Sequence, residues 1–372
     1  MVEWKRLGDV CEIKTGKLNA NAQVEDGEYP FFTCDKNPSK IDTYAFDGEA
    51  ILISGNGNVG HLNYFIGKFN AYQRTYVLMQ FKTQSGRYLL HCLNSGFKNY
   101  IENKLKKGSV PYITLPLLFD YPIPIPSLSE QERIVGILDT FTAAIENLKS
   151  QIAERRKQYN WYLDKLYYTN KSELLEAEKR GVNIKTLDEI GTFTRGRRFV
   201  RTDIVSEGVP CIHYGDMYTY YGVWADKTPT HLTKEKSSKL RFAQKGDVII
   251  VGAGENDLDI GVGVAWLGEE NVVIHDACYI FKHNQNPKYL SYFMRSMNYH
   301  SQIRMGVVDG KICSISAKEL GRTLIAVPSP SEQSRIVSIL DTFEASIANL
   351  EAQLKEREKQ YEYYRNQLLT FE

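Results

Sequence analysis

The sequence has few of the residues that mark metal-binding, disulfide-bonded or membrane-spanning proteins. Its 372 residues contain only six cysteines, without a Cys-x-x-Cys pair, and seven scattered histidines without metal-ligand spacing. We therefore expect no metal site, and reduced, mostly buried thiols typical of a cytoplasmic protein. The sequence shows no signal peptide and no run of 18 apolar residues, which predicts a protein without a membrane span.

Catalytic signatures are missing as well. Adjacent prolines are absent, which excludes the Asp/Asn-Pro-Pro-aromatic motif of amino-methylating enzymes, and there is no P-loop and no nuclease pattern. Residues 55–60 have the spacing GxGxxG, but residues 61–67 alternate like a strand where a dinucleotide site needs a helix. This motif predicts a glycine-rich turn between strands. The net charge of +1 does not by itself indicate nucleic acid.

What the sequence does contain is an internal repeat. Residues 126–166 and 328–368 align without a gap at a shift of 202, and 25 of the 41 aligned positions are identical. The repeat continues into the preceding segments, where Gly16 matches Gly196 at a shift of 180. A chain with two copies of one unit has approximate two-fold symmetry, so it can present two recognition surfaces, as a homodimer does.

The repeated segment predicts one long helix in each half. Apolar residues recur at alternating steps of four and three, the period of a coiled-coil seam, which Arg155 or Arg357 interrupts once per copy. Ser129 is predicted to cap the first helix as part of a capping box, and Ser331 to cap the second more weakly. About 38 residues form a rod of roughly 55 Å. We expect the two helices to pair antiparallel, with the arginines fixing the register; packing of each helix on its own globular half is the alternative.

The rest of the chain predicts two globular domains. Short β-branched and aromatic runs alternate with Gly, Asn and Asp turns, and a shorter helix is expected at 87–104 and at 287–304. The fold class is therefore α+β, with two pseudo-symmetric globular domains separated by two long helices that pair as an antiparallel coiled coil. The predicted boundaries are 1–125 for the first globular domain, 126–168 for the first long helix, 169–181 for a short helical linker, 182–327 for the second globular domain and 328–372 for the second long helix.

Basic, amide and aromatic side chains occur in equivalent loops of both halves. Four arginines surround Gly196 within seven residues, and lysines flank Gly16. A solvated basic surface is the alternative for any one cluster, but recurrence at matching positions favours contact with DNA phosphates and bases. The candidate DNA-binding residues are Lys14, Lys17, Asn19, Asn21, Tyr72, Gln73, Arg74, Lys106, Lys107, Tyr112, Arg195, Arg197, Arg198, Arg201, His275, Arg304 and Lys311.

The order of domain, helix, domain, helix resembles the specificity (S) subunits of type I restriction-modification systems. The motif Pro-Ser-x-Ser-Glu-Gln-x-Arg-Ile-Val opens both helices, at 126–135 and 328–337, and the likeness extends over essentially the whole chain. A Gly-Asp-Val-Ile-Ile stretch at 246–250 and a Gly-x4-Ile-Thr/Ser stretch, at 108–114 and 310–316, fit the target-recognition domains of that family.

The resemblance implies a non-catalytic DNA-binding subunit that reads a bipartite target, one half-site for each recognition domain. It implies that the helices set the spacing between half-sites and bind two methyltransferase subunits, which carry S-adenosylmethionine and methylate adenine N6. Two restriction subunits that use ATP and Mg²⁺ would complete the complex, and the chain itself would carry no metal or cofactor. The alternatives are a stand-alone DNA-binding or regulatory module, and a structural adaptor that uses the coiled coil for protein contacts.

Overall fold

The computed structural model describes residues 2–104, 111–255, 257–308 and 310–371. The chain divides into two compact units. The first consists of Met1–Ser150 with Glu351–Glu372, and the second of Gln151–Leu350. Each unit therefore contains one globular part and a segment of each long helix.

The first unit combines one large β-sheet with a two-stranded one. Its strands are β1 Glu3–Arg6, β2 Glu12–Thr15, β3 Tyr29–Phe32, β4 Ser39–Ile41, β5 Phe46–Ser54, β6 Leu62–Ala71, β7 Thr75–Met79 and β8 Pro122–Ile125. The large sheet has the order β2-β7-β5-β6-β3-β4, and β1 pairs with β8. Strand β3 runs parallel to β6, whereas the other neighbouring strands are antiparallel.

The core of the first unit lies between this sheet and two helices. The helices that lie or begin in the unit are α1 Leu7–Val10, α2 Gly86–Lys104, α3 Leu115–Phe119 and α4 Leu128–Leu166. Helix α2 buries Leu89 and Phe97, and the first turns of α4 bury Ile134 and Leu138 in the same apolar cluster. The apolar seam read from the sequence thus continues into the domain core, where burial of each such side chain stabilises the fold by about 1.5–3 kcal/mol.

The second unit repeats this arrangement and adds a further sheet. Its strands are β9 Ile184–Thr186, β10 Gly191–Arg195, β11 Ile204–Val205, β12 Val209–Ile212, β13 Trp224–Ala225, β14 His231–Leu232, β15 Phe242–Ala243, β16 Val248–Val251, β17 Ala253–Gly254, β18 Gly263–Trp266, β19 Val272–Ile274, β20 Cys278–His283, β21 Cys313–Ser314 and β22 Leu324–Ala326. One sheet has the order β10-β20-β16-β18-β13 and the other β11-β14-β12-β19-β15. Strand β9 pairs with β22, and β17 with β21.

Eight α-helices lie or begin among the described residues of the second unit. They are α5 Lys171–Lys179, α6 Leu187–Ile190, α7 Asp216–Thr219, α8 Lys234–Ser237, α9 Pro287–Phe293, α10 Met297–Ile303, α11 Ala317–Gly321 and α12 Pro330–Leu369. Of these, α6, α9 and α11 contact the first of the two five-stranded sheets. Strand β16 is buried along its whole length, and α9 places Leu290 and Phe293 in the same cluster as Ile336 and Leu340 of α12.

The predicted antiparallel pairing of the long helices is confirmed within each unit. In the first unit Phe141 of α4 stacks on Tyr364 of α12 with ring centroids 5.2 Å apart. In the second unit Tyr162 of α4 lies 5.1 Å from Phe343 of α12. From the first contact to the second, residue numbers rise along α4 and fall along α12, so the helices are antiparallel. Phe141 corresponds to Phe343 and Tyr162 to Tyr364 at the shift of 202, so the same contact occurs twice.

The two seam arginines lie over aromatic rings of the opposite helix. The Arg357 guanidinium is 5.7 Å from the Phe141 ring, and Arg155 is 5.8 Å from Phe343. Cation–π attraction of about 0.5–1 kcal/mol at such half-exposed sites offsets the cost of a charge in an apolar seam.

The caps of the long helices differ from the prediction. Ser127, and not Ser129, accepts the Glu130 backbone N–H at 3.4 Å, and Ser329, and not Ser331, accepts that of Glu332 at 3.3 Å. The acid three residues after the cap is therefore present in both helices. The second cap is equivalent to the first because each motif offers two serines and the helix begins at the earlier one.

The helix predicted at 287–304 is broken, whereas the one at 87–104 is confirmed as α2. Ser296 has extended backbone angles, and its hydroxyl accepts the Tyr299 N–H at 3.3 Å to begin α10. A serine hydroxyl that caps a new helix competes with continuation of the preceding one. The GxGxxG segment forms the predicted turn, because it connects β5 to β6 and has positive φ angles at Gly57 and Gly60.

Other sequence expectations concern thiols and membranes. All six cysteines are free, and five are buried. Among the described residues no helix combines the length and apolar character needed to cross a bilayer.

Candidate nucleic-acid interface

One network of hydrogen bonds fixes three loops beside the main sheet of the first unit. The Gly55 N–H donates to the Arg74 carbonyl at 2.9 Å, and the Ile113 N–H donates to the Gly55 carbonyl at 2.8 Å. The Tyr76 hydroxyl donates to the Ile113 carbonyl at 2.9 Å. Burial raises the pKa of Tyr76, which keeps its phenol protonated and able to donate. The turn after β5, the turn before β7 and the segment before α3 are thereby held together.

The second unit builds the same network from equivalent positions. The Gly252 N–H donates to the Ala277 carbonyl at 2.8 Å, and the Ile315 N–H donates to the Gly252 carbonyl at 2.9 Å. The Tyr279 hydroxyl donates to the Ile315 carbonyl at 3.1 Å. Two loop systems with different side chains are therefore supported by one backbone arrangement.

A glycine lets the loop after the first sheet strand approach these turns. A Cβ atom on Gly16 would lie 1.8 Å from the Ala71 carbonyl oxygen, and one on Gly196 would lie 2.1 Å from the His275 carbonyl oxygen. Backbone passes so close to backbone here that only glycine fits. The match of these two glycines in the sequence therefore has a structural cause.

The predicted residues around Gly16 are all exposed. Lys14 projects from β2, where it pairs with Glu12 at 2.8 Å, and Lys17 lies in the turn that follows. Asn19 accepts a hydrogen bond from the Gln73 side chain at 2.8 Å. Asn21 is exposed one turn further on, within the 3-10 helix Ala20–Ala22.

The turn before β7 and the segment before α3 carry further predicted residues. Tyr72 is half-buried and its N–H donates to the Phe32 carbonyl at 2.9 Å, whereas Arg74 and Tyr112 are exposed. A cavity of about 210 Å³ opens between them. Its lining residues are Thr15, Gly55, Gln73, Arg74, Tyr76, Tyr112, Ile113 and Thr114.

The four predicted arginines around Gly196 are exposed, and two of them are anchored. Arg195 Nε donates to the Asp276 carbonyl at 2.7 Å, and Arg197 Nη1 donates to the Lys239 carbonyl at 2.7 Å. Each guanidinium has five N–H donors, so these bonds orient the side chain and leave donors for a ligand. Arg198 and Arg201 follow in the same exposed loop.

His275 is buried, in contrast to the arginines around it. Its ring centroid lies 5.1 Å from Phe199, 4.5 Å from His213 and 5.5 Å from Tyr214. Burial lowers the pKa of His275, with a smaller contribution from Arg198 in the same direction, while Asp276 opposes the change. The imidazole is thus neutral near pH 7, and it supports the loop rather than adding a positive charge.

The remaining predicted cations lie elsewhere in the second unit or outside the described residues. Arg304 is exposed in the 3-10 turn Arg304–Gly306. Lys311 is exposed just before β21, which pairs with β17 beside Gly252. Lys106 and Lys107 lie outside the described residues.

The sequence interpretation missed one loop in each unit. Cys34 and Lys36 follow β3, and their carbonyls are contacted by Asn58 at 2.9 Å and by His61 at 3.3 Å. In the second unit His213 follows β12, and from the sequence it was counted only among the seven scattered histidines. The signal was available, because the shift that carries Gly16 onto Gly196 also carries Thr33 onto His213.

The exposed side chains of these loops are of the kinds that bind nucleic acid. Their exposed groups are ammonium, guanidinium, amide and phenol, which contact phosphates and base edges. In the part of the chain that the structure describes, no three His, Cys, Asp or Glu side chains form a group that could hold a metal ion.

A family model described as the type I restriction modification DNA specificity domain matches residues 1–155 and 179–359. The chain belongs to this family. The two matched segments correspond to the two halves of the internal repeat, so each half of the chain is one specificity domain. The family is one of DNA recognition rather than catalysis.

Two relatives of the chain are specificity subunits of type I restriction enzymes. The chain is 41% identical over 157 residues to the EcoDI specificity subunit of Escherichia coli, which covers 41% of the chain and 34% of that subunit. It is 32% identical over 267 residues to the EcoR124I/EcoR124II specificity subunit of Escherichia coli, covering 67% of the chain and 63% of that subunit. The match thus spans about a third of the length of the first relative and under two thirds of the length of the second.

Solved structures share the specificity-domain fold over the full chain. The S subunit of a type I restriction-modification system from M. genitalium superposes with a TM-score of 0.63 at 17% identity, covering 100% of this chain and 97% of that one. A chain from a study of complex assembly in the type I system superposes with a TM-score of 0.58 at 17% identity, covering 99% and 97%. At this identity the likeness concerns the fold alone.

Proposed function

We propose that the chain is the DNA specificity subunit of a type I restriction-modification complex. It would read a bipartite target on double-stranded DNA, with one half-site bound by each globular domain. The observation that carries this proposal is the repeated hydrogen-bond network, which joins the loops by equivalent bonds in both units while their exposed side chains differ. Such a scaffold presents two specificities from one fold.

Domain boundaries follow from the same proposal. Residues 1–125 and 182–327 would be the recognition domains, with the helices at 126–168 and 328–372 joined through the linker at 169–181. The recognition surface in each domain would comprise the predicted loop residues together with the loops at 33–36 and 213–216. The length of the two helices would set the number of unspecified base pairs between the half-sites.

Partner subunits would supply the chemistry. Two methyltransferase subunits would bind S-adenosylmethionine and transfer its methyl group to adenine N6, and two restriction subunits would use ATP and Mg²⁺ to cleave unmodified DNA in the cytoplasm. This chain would position those subunits on the target and would hold no cofactor itself.

Exposed aromatic side chains occur at equivalent places on the two long helices and fit a partner that binds twice. Trp161 on α4 is 57% exposed and Tyr363 on α12 is 58% exposed, and they correspond at the shift of 202. Large exposed aromatics are typical of protein interfaces. We therefore assign this part of the helices to the methyltransferase interface.

The test is a methylome. The chain is expressed with its neighbouring methyltransferase subunit in a host without DNA methylation, and modified adenines are mapped by long-read sequencing. A split motif with two short half-sites and a fixed gap is expected. If the two subunits form a folded complex and no new methylation occurs, the proposal is wrong, and a regulatory module or a structural adaptor becomes the better description.

A further inference from the structure

The exposed amide side chains of Asn19 and Gln73 are bonded to each other in the first unit. Gln73 Nε2 donates to Asn19 Oδ1 at 2.8 Å. The Gln73 backbone is fixed as well, because its N–H donates to the Leu18 carbonyl at 2.9 Å. Gln73 is thus held at both its backbone and its side chain, although it lies at the surface.

This bond determines what the Gln73 amide offers to a ligand. A glutamine amide has two N–H donors and one carbonyl acceptor. One donor is used by Asn19, so the free edge of the group presents one acceptor, Oε1, beside one remaining donor on Nε2. The bond also fixes the orientation of the amide, since rotation by half a turn would place two oxygens against each other.

A neighbouring acceptor and donor match one base in the major groove of DNA. Adenine presents N6–H as a donor and N7 as an acceptor, whereas guanine presents two acceptors, cytosine one donor and thymine one acceptor with a methyl group. We propose that Gln73, positioned by Asn19, reads an adenine in the half-site bound by the first unit. This inference rests on the proposed function.

The surroundings of Gln73 favour DNA as the ligand. Lys17 and Arg74 are exposed on the two loops that carry the amide pair, where they can contact phosphates on either side of a base. Gln73 also lines the cavity of about 210 Å³ together with Arg74 and Tyr112, so a cation and a phenol lie beside it in one recess.

The second unit has a different group at the equivalent place. The His275 N–H donates to the Ile212 carbonyl as that of Tyr72 does to Phe32, which aligns Asp276 with Gln73. A carboxylate only accepts hydrogen bonds, and Phe199 stands where Asn19 does at the shift of 180. The adenine reader is therefore assigned to the first unit alone.

The test uses the assembled complex of this chain with its methyltransferase subunit. The methylome of the unchanged complex first defines the half-sites. Each A·T pair of the first half-site, other than the methylated one, is then replaced in turn by a pair containing 7-deazaadenine, which lacks N7. Binding to each duplex is measured for the unchanged chain, Gln73→Ala and Asn19→Ala.

At one position the unchanged complex should lose roughly tenfold to a hundredfold in affinity on deaza substitution, the range of one bidentate base contact. Gln73→Ala should lose at least this factor on the natural duplex, because it removes both hydrogen bonds, and should be insensitive to the deaza base. Asn19→Ala should show an intermediate loss, because Gln73 remains but is no longer oriented. Gln73→Glu should move preference toward cytosine, whose N4 donates to a carboxylate.

Several outcomes separate this inference from the proposed function. A split motif whose first half-site has no further A·T pair overturns the inference and leaves the proposed function standing, as does Gln73→Ala with unchanged sensitivity to the deaza base. If Gln73→Ala loses the same affinity for every DNA sequence, Gln73 contacts phosphate or has a structural role, and this outcome also overturns the inference. Gln151→Ala, an exposed glutamine on α4, is the matched control and should bind as the unchanged chain does.

Discussion

One histidine of the second unit, the half-buried His283, keeps its neutral form. His283 lies in β20, where its Nδ1 accepts the Gln285 N–H at 3.1 Å, and within the described residues its buried Nε2 has no hydrogen-bond partner. Burial lowers its pKa from 6.5 to about 4, and the bond from Gln285 opposes this only in part. Protonation of His283 is therefore unfavourable in the folded second unit, at a position remote from the predicted DNA contacts.

This shift predicts that the second unit loses stability in mild acid. The folded pKa lies below the unfolded one, so the unfolded chain binds the proton first as pH falls. The stabilisation is complete above about pH 6.5 and disappears between there and pH 4, at a cost of about 2 kcal/mol after allowance for partial exposure. Denaturant unfolding at pH 7.5 and pH 5 should show a smaller difference for His283→Gln than for the unchanged chain. Identical pH dependence in both proteins would contradict the prediction.

Two glycines of the first unit are expected to respond in opposite ways to the same substitution. Gly16→Ala places Cβ 1.8 Å from a carbonyl oxygen, so it should destabilise the unit by about 2 kcal/mol or more. Gly136→Ala on α4 meets no atom within 4 Å and should stabilise it by about 0.5–1 kcal/mol through helix propensity. Thermal unfolding of the two variants measures both effects, and equal midpoints would count against the close approach at Gly16.

The sequence was most informative about elements whose pattern is periodic. The apolar residues at alternating steps of four and three predicted both long helices. They also predicted the pairing of these helices, because one apolar stripe per helix requires a partner. They did not predict that Arg155 and Arg357 lie over Phe343 and Phe141, because a ring on another helix is remote in sequence. The break at Ser296 was also missed, since a serine inside a helical pattern caps a new helix only when its surroundings support it.

The position of the candidate DNA-binding loops was predictable from the sequence, but their arrangement was predictable only in part. Charge and the internal repeat located the loops around Gly16 and Gly196. The pairing of Asn19 with Gln73 joins residues 54 positions apart, and the burial of His275 depends on rings from two other loops. Long-range contacts of this kind leave no local pattern in a single sequence.

The helix pair should depend equally on the two aromatic contacts that the repeat relates. Phe141 and Phe343 are half-buried, and each is covered by a tyrosine and an arginine of the opposite helix. Replacement of either by alanine should lower the free energy of unfolding by about 1–3 kcal/mol, less than for a fully buried ring. Chemical unfolding monitored by circular dichroism measures this.

Glu146→Ala serves as the control for these helix variants. The Glu146 side chain is 71% exposed and pairs only with Lys149 on the same helix, so its removal should change stability by less than about 1 kcal/mol. If Phe141→Ala and Phe343→Ala behave like this control, the aromatic contacts do not hold the helices together.

At the scale of the whole molecule, charge is balanced but unevenly distributed. The net charge is +1, yet the loop from Arg195 to Arg201 carries four exposed arginines. Association with DNA should therefore depend on salt through these local groups rather than through the total charge.

Salt dependence gives a quantitative prediction for the complex. Arg198→Ala and Arg201→Ala should each weaken binding to all sequences alike and reduce the slope of log affinity against log salt concentration by about 1. Fluorescence anisotropy between low and moderate salt measures the slope. Arg335→Ala, which removes an exposed arginine paired with Glu332 on α12, is the control and should leave the slope unchanged. A slope unaffected in all three variants would place the phosphate contacts elsewhere.

The duplicated contact between α4 and α12 has a consequence for the origin of the chain. Phe141 meets Tyr364 and Phe343 meets Tyr162, and each partner is the repeat equivalent of the other. An ancestor of half the length could have made both contacts with a second copy of itself, and such a homodimer would have read a palindrome. Fusion of two such copies would free the halves to diverge, so that an asymmetric target would become readable without any change in the paired helices.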